Sequence, residues 1–218
     1  MTATIDTQSM VRRRNLFAAC AAIIVFGFAM GLTYPLLSLL LERRGVPETV
    51  IGMNAAMSPL GILVFSIFIP VLARRFGART VTIVAALSAA LILLGYKVFP
   101  SLEAWFALRL LHGMVVSTLF VLSESWVVKY ADPGSRGKVV AIYGAALAAS
   151  FGAGPLLISL IGIDGWLPFV IGAIVLVTAT VPMALIREER LEAEAHTGWG
   201  DILGFIPKAP VLLGAVFI

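Results

Sequence analysis

The sequence has few charges and almost no cysteine. Charged residues make up 13% of the 218 residues, and Cys20 is the single cysteine. A soluble domain carries about 25% charged residues, so this chain has roughly half of the charge that a water-exposed surface needs. One cysteine cannot form a disulfide framework within the chain. These shortages exclude an ordinary cytosolic enzyme and a disulfide-rich secreted domain.

Apolar residues are abundant instead, at 60% of the chain, which also excludes a disordered protein. A helix that crosses a hydrocarbon core of about 30 Å needs about 20 apolar residues. Six stretches are long enough or nearly so, which predicts an all-α polytopic membrane bundle. They are Leu16 to Leu41, Ile51 to Leu72, Val81 to Tyr96, Trp105 to Val128, Val139 to Ile163 and Trp166 to Ile186.

The basic residues fall mainly on one side of these spans. If the amino terminus is inside, the inner segments hold twelve of the sixteen Lys and Arg residues, the outer loops hold three, and Arg109 lies within the fourth span. Lys and Arg are retained on the cytoplasmic side, so this asymmetry predicts a cytoplasmic amino terminus. The basic residues form no stripe interleaved with aromatics, and no nucleic-acid partner is expected.

The remaining segments complete the predicted organisation. Residues 1–15 are expected to form a cytoplasmic tail, residues 16–186 the six-span bundle, and the polar residues 187–206 a cytoplasmic linker. Residues 207–218 are apolar again, but about a dozen residues cannot cross a bilayer. We interpret them as the start of a truncated seventh span.

Three ionisable residues lie within the fourth span, where charge is costly by at least about 2.5–3.5 kcal/mol. Arg109 and His112 share one helix face, whereas Glu124 lies about 22 Å further along the helix axis. Arg109 either reaches the outer interface near Trp105 or lines a polar cavity. Glu124 is either an interfacial carboxylate offset by Lys129 or a functional group. A hydrogen bond between helices explains His112 as well as proton transfer does.

Small residues and prolines cluster in the second and fifth spans, which occupy corresponding places if six spans form two three-helix inverted repeats. Such residues allow close packing of membrane helices, or bending of the kind found in secondary transporters. Both interpretations remain open. The positions expected to bend or pack closely are Pro59, Gly113, Gly152, Gly154 and Pro155.

These features resemble the amino-terminal half of the major facilitator superfamily. The run from Gly31 to Gly52 is similar to that family's first span, outer loop and second-span start. The inner segment from Pro70 to Arg79 resembles its signature between spans two and three. Arg109-Leu110-Leu111-His112-Gly113 matches its arginine-x-x-x-glycine pattern in span four, and Gly154-Pro155 matches its fifth-span ending.

The inner signature also departs from the family pattern. Arg75, Gly77 and Arg79 are retained and are the expected gating residues, but Pro70 and Arg74 replace the family's glycine and acidic residue. The carboxylate that helps to fasten the inner gate in the family is therefore missing. The segment Ser123-Glu124-Ser125-Trp126 resembles a bacterial branch of sugar or drug transporters.

The resemblance implies a secondary active transporter in a bacterial inner membrane that moves a small organic solute by alternating access. It implies a site at Arg109, which would hold an anionic substrate group or a coupling carboxylate, with His112 and Glu124 as candidates for a coupling proton. The expected partners are the solute, the bilayer, and a missing carboxy-terminal half or a second copy.

A non-transporting or homodimeric six-span protein is the alternative. An embedded enzyme is less favoured, because the spans offer one histidine and no His/Glu pair at i, i+4 spacing. No phosphate-binding glycine loop with its lysine appears, so no cofactor is expected.

The interpretation as a half-length chain predicts a measurable mass. Protein made from its own gene in its native membrane should have an intact mass near twice the 23.2 kDa of this chain. An intact mass of 23.2 kDa would instead identify a six-span product.

Overall fold

The apolar stretches form helices long enough to cross a bilayer. A computed structural model describes residues 2–178 and 180–184, with side chains from Met10 onward, and it contains no strand in these residues. Six candidate spans result, of which the sixth comprises α7 and α8 together. The helices are α1 (Thr2–Arg43), α2 (Glu48–Ser66), α3 (Ile69–Phe76), α4 (Ala78–Val98), α5 (Leu102–Tyr130), α6 (Arg136–Ile161), α7 (Leu167–Thr178) and α8 (Thr180–Ala184).

The amino-terminal segment that was predicted as a cytoplasmic tail is helical. Residues 2–15 belong to α1 and are continuous with the first span. The physical reason is that the first 26 residues contain neither glycine nor proline, so nothing in them interrupts a helix. The linker predicted at residues 187–206 and the seventh span predicted at residues 207–218 lie outside the described residues.

The segment between the second and third spans is also more helical than expected. Pro70 has no N–H to give to the carbonyl of Ser66, and α2 ends at Ser66. A new helix, α3, then begins at Ile69, because proline is tolerated in a first turn. Gly77, with a positive φ of 84°, separates α3 from α4. Residues 70–79 therefore form a helix, a one-residue turn and a helix start, and not an open loop.

Two helix pairs, α1 with α6 and α2 with α5, make the most extensive contacts of the bundle. In chain order, the six spans are α1, α2, α4, α5, α6, and α7 with α8. If each of the first three spans is exchanged with the span three places later, the pair α1 with α6 becomes the pair α5 with α2. The contact of α1 with α5 is unchanged by that exchange. This pattern is the one expected of two three-helix repeats, although α4 packs on α5 more extensively than α1 packs on α7 and α8.

Glycine brings the backbones together in both pairs. A Cβ added at Gly154 of α6 would overlap the backbone of Gly31 in α1, and one added at Gly113 of α5 would overlap the Ser58 carbonyl of α2. Close backbone approach of this kind is how membrane helices gain packing energy without a hydrophobic driving force. Gly152, in contrast, has open space where a Cβ would lie.

The two prolines expected to bend helices lie within helices that continue past them. Pro59 is exposed on α2 and Pro155 on α6. Pro155 cannot donate to the carbonyl of Phe151, four residues earlier. That carbonyl is the atom that a Cβ on Gly31 would overlap. At this point the proline and the glycine contact are therefore parts of the same helix crossing.

Two ion pairs also join α1 to the segments that flank α6. Arg12 pairs with Asp132, which precedes α6. Arg43 pairs with Asp164, which follows it, at 2.7 Å between Nη1 and Oδ1. The side chains are exposed to solvent, and each such pair contributes about 1 kcal/mol or less. The glycine contacts, more than these pairs, hold α1 against α6.

The glycine contact predicts a difference between two substitutions on one helix. Gly154→Ala should lower the free energy of unfolding by about 1–3 kcal/mol, because its Cβ would meet backbone that cannot move aside. Gly152→Ala is the matched control and should be neutral or slightly stabilising, since alanine favours helix and has room there. Reversible unfolding in mixed micelles measures both. Equal stability of the two variants would contradict this account of the crossing.

Candidate functional site

Arg109 is buried in the bundle, with 1% of its surface exposed. Its Nη1 donates to Oδ1 of Asn54 on α2 at 3.4 Å, and its Cζ lies 4.8 Å from the ring centroid of Tyr34 on α1. Ser58 of α2 donates its hydroxyl to the carbonyl oxygen of Arg109 at 3.3 Å. The guanidinium is therefore held between three helices and is not directed to the outer interface.

The sequence places these groups opposite each other through simple helical spacing. The buried residues of α2 are Asn54, Ser58 and Gly61, which lie four and then three residues apart and so share one face. On α5, Arg109 and Gly113 are also four residues apart. Because the glycine contact brings Ser58 against Gly113, the amide of Asn54 arrives one turn away, beside the guanidinium.

The cluster has more donors than acceptors. Nη2 of Arg109, Nδ2 of Asn54, both ring nitrogens of His112 and the hydroxyl of Tyr96 are buried and form no hydrogen bond in the described residues. The first two atoms can only donate, and neutral His112 offers one further donor. The carbonyl oxygen of Asn54 already accepts from Arg109. The arrangement therefore favours a ligand that accepts several hydrogen bonds.

Charge at the cluster is also unbalanced. In the part of the chain that the structure describes, no carboxylate forms an ion pair with Arg109; the ion pairs found there join Arg12 and Arg43 of α1 to residues near α6. A charge in the membrane interior is normally paired or faces a polar cavity. An anionic acceptor would satisfy both the charge and the free donors.

Aromatic side chains pack between this cluster and the end of the bundle where α4 ends and α5 begins. The ring of Tyr96 meets those of His112 and Trp105 edge to face, with centroids 6.3 and 5.9 Å apart. Trp105 donates its Nε1 hydrogen to the carbonyl of Tyr96 at 3.0 Å, and Cζ of Arg44 lies 4.3 Å from the Trp105 centroid. Arg44 also donates to the carbonyl of Pro100 at 2.6 Å. These contacts form a packed aromatic layer beside the cluster, at the turn from α4 to α5.

Glu124 is not part of the cluster. It is exposed on the carboxy-terminal half of α5, whereas its neighbour Ser123 is buried and shares a hydrogen bond of 2.8 Å with the hydroxyl of Tyr143 on α6. The structure thus brings Arg109 and His112 together and leaves Glu124 apart. No three His, Cys, Asp or Glu side chains within the described ranges are grouped so that they could hold a metal ion.

The expected gating residues lie at the turn between α3 and α4. Arg75 is exposed, and its Cζ lies 5.3 Å from the ring centroid of Phe76. Gly77 provides the positive φ that the turn requires, and Arg79 is exposed on the first turn of α4. Arg74, in the position of the family's acidic residue, is exposed as well.

Four members of the cluster were not predicted from the sequence: Tyr34, Asn54, Ser58 and Tyr96. Asn54 had a usable signal, because a primary amide is rare and costly inside a span of small and apolar residues. Tyr34 and Tyr96 had none, since aromatic residues near span ends are ordinarily interfacial anchors. Their role depends on contacts between helices that spacing along one helix does not reveal.

Comparison with known proteins agrees with this architecture. The family model described as Major Facilitator Superfamily matches residues 19–218. A Bacillus subtilis (strain 168) protein named "Uncharacterized MFS-type transporter YfkF" is 25% identical over 189 residues, which are 87% of this chain and 48% of that protein. The chain thus spans about half the length of this relative. It belongs to the major facilitator superfamily, a family of multi-pass membrane transporters and not of enzymes.

Proposed function

We propose that this chain is the amino-terminal half of a secondary active transporter that moves a small organic solute with an anionic group by alternating access. The observation that carries the proposal is the buried guanidinium of Arg109, which has no carboxylate partner in the described residues and lies beside further donors that form no hydrogen bond there. The half-length match to a transporter relative supports the assignment of the chain to one half.

Arg109 is the proposed anchor for the anionic group. A guanidinium can donate two parallel hydrogen bonds to a carboxylate, and such charge-assisted bonds are about twice as strong as neutral ones. Nη2 is free for this purpose, and Nδ2 of Asn54 lies beside it as a further donor. Tyr34 contacts the guanidinium through its ring and limits where the solute can approach.

Alternating access would then use the bundle as a rigid body. The glycine contacts of α1 with α6 and of α2 with α5 leave little freedom within it. In transporters built from such repeats, one unit rocks against another around a central site. The second unit would be the carboxy-terminal half, and the solute would lie between the two.

His112 is the proposed proton carrier if transport is coupled to protons. It lies one turn from Arg109, and both of its nitrogens are free of hydrogen bonds within the described residues. An anion bound at Arg109 and a proton on the imidazole one turn away would attract each other. Binding of the solute and of the proton would thus favour each other.

The anchor proposal predicts a charge preference in binding. Small organic acids should raise the melting temperature of the full-length protein made from its own gene, and their methyl esters should not. Arg109→Gln should weaken binding of the effective acids at least tenfold, because a hydrogen bond to a charged group contributes about 1.5–3 kcal/mol. Lys97→Gln, which removes an exposed cation from α4, is the matched control and should bind as the wild type does.

Two results would count against this assignment. Retention of acid affinity and of gradient-driven transport by Arg109→Gln would remove Arg109 from the site. If uncharged or cationic solutes bind equally well to both proteins while only proton-coupled transport is lost, Arg109 pairs with a coupling carboxylate and not with the solute.

We also propose that the amino terminus is cytoplasmic in a bacterial inner membrane, on the basis of the distribution of Lys and Arg. In a Cys20→Ala background, Glu48→Cys should react with a membrane-impermeant maleimide in intact cells. Gly134→Cys, exposed before α6, should react only after the membrane is opened. The reverse labelling pattern would show that the topology is inverted.

A further inference from the structure

The guanidinium of Arg109 is closed off from the surface of the chain. Arg109 is 1% exposed, and Asn54, which accepts its hydrogen bond, has no exposed surface. The unpaired Nη2 atom of Arg109 is buried as well. An anionic solute therefore cannot touch Arg109 while the surrounding side chains keep these positions, and a group beside the guanidinium has to move first.

Tyr34 is the neighbour of the guanidinium that reaches the surface. Of the two side chains that hydrogen-bond to or stack on the guanidinium in the described residues, Asn54 is buried and Tyr34 is partly exposed. The Tyr34 ring centroid lies 4.8 Å from Cζ of Arg109. Rotation about its side-chain torsions can move this ring between staggered positions without a shift of α1. The ring can therefore open a path from the surface to Arg109.

The Asn54 side of the cluster is held by helix packing. A Cβ on Gly113 would overlap the Ser58 carbonyl, so α2 and α5 are in backbone contact there. Asn54 lies one turn from Ser58 and is buried, where close packing leaves little room for a new rotamer. Displacement of the Tyr34 ring thus disturbs less packing than displacement of Asn54.

On the basis of the function proposed above, we propose that Tyr34 is a lid residue that controls access of the anionic group to Arg109. Without solute, the ring covers the guanidinium and offsets part of its charge through a cation–π interaction. The solute displaces the ring and supplies the negative charge in its place. Tyr34 therefore competes with the solute for the same guanidinium.

Thiol labelling without any solute tests whether the ring closes the path. In the full-length protein, Asn54→Cys places a thiol at the guanidinium, and its reaction with methyl methanethiosulfonate is followed on the peptide that contains position 54. Adding Tyr34→Ala should speed this reaction at least tenfold, because the covering ring is gone. Phe26→Ala is the matched control and should leave the rate unchanged, since this partly buried ring packs on Phe120 about 12 Å earlier along α1. If Tyr34→Ala does not insert, Tyr34→Ser is measured in its place.

Acid affinity shows whether the ring leaves Arg109 on binding. A ring that has to leave opposes binding, whereas a ring that stays stacked on the guanidinium supports it. Tyr34→Leu removes the ring and keeps an apolar side chain, so it should strengthen binding of small carboxylates to the full-length protein about tenfold. Tyr34→Phe keeps the ring and should bind them as the wild type does. Titration calorimetry with acetate, lactate, succinate and benzoate measures all three proteins.

Two results would overturn the lid. Unchanged thiol labelling in both Tyr34→Ala and Tyr34→Ser would show that the ring does not close the path. Weaker binding of the carboxylates to Tyr34→Leu would show that the ring stays on Arg109 and positions it. The anchor role of Arg109 fails separately: in that case Arg109→Gln keeps its carboxylate affinity, or no carboxylate binds, while Tyr34→Ala still accelerates labelling.

Discussion

The backbone contact between α2 and α5 is the constraint on which the candidate site depends. Gly113 allows the Ser58 carbonyl to approach α5, and this approach sets the register of the two helices. Asn54 and Arg109 then meet one turn away, and the Ser58 hydroxyl reaches the carbonyl of Arg109. A larger residue at position 113 would displace all of these groups together. Packing and site chemistry are therefore encoded by the same few positions.

The free-energy cost of burying unpaired polar groups at the site explains why such tight helix packing is needed. A buried guanidinium with a single long hydrogen bond to an amide is far from satisfied, and unpaired buried donors cost about 1–3 kcal/mol each. The surrounding helices have to supply that energy through their contacts. An acceptor that enters the cluster would recover part of this cost, which is the physical basis of the proposed recognition of an anion.

Much of the fold could be predicted from the sequence, because hydropathy and the distribution of basic residues report directly on the bilayer. The six spans, the all-α bundle and family membership are confirmed. Arg109 and His112 were singled out because ionisable residues are rare where apolar residues are expected. Asn54, Tyr34 and Tyr96 were not, since their significance arises from which helices touch. For residues 2–15 the sequence analysis predicted a location and not a conformation, and the structure adds that these residues continue α1.

The crossing of α1 with α6 has a mechanical consequence. Interfaces made of long side chains can yield gradually, because rotamers adjust as helices slide. At Gly31 and Gly154 backbone lies on backbone, and no side chain is present that could adjust. This crossing is therefore rigid, and it is either fully formed or broken, with no intermediate packing. Compliance in the bundle has to come from interfaces filled with side chains, such as that of α4 with α7.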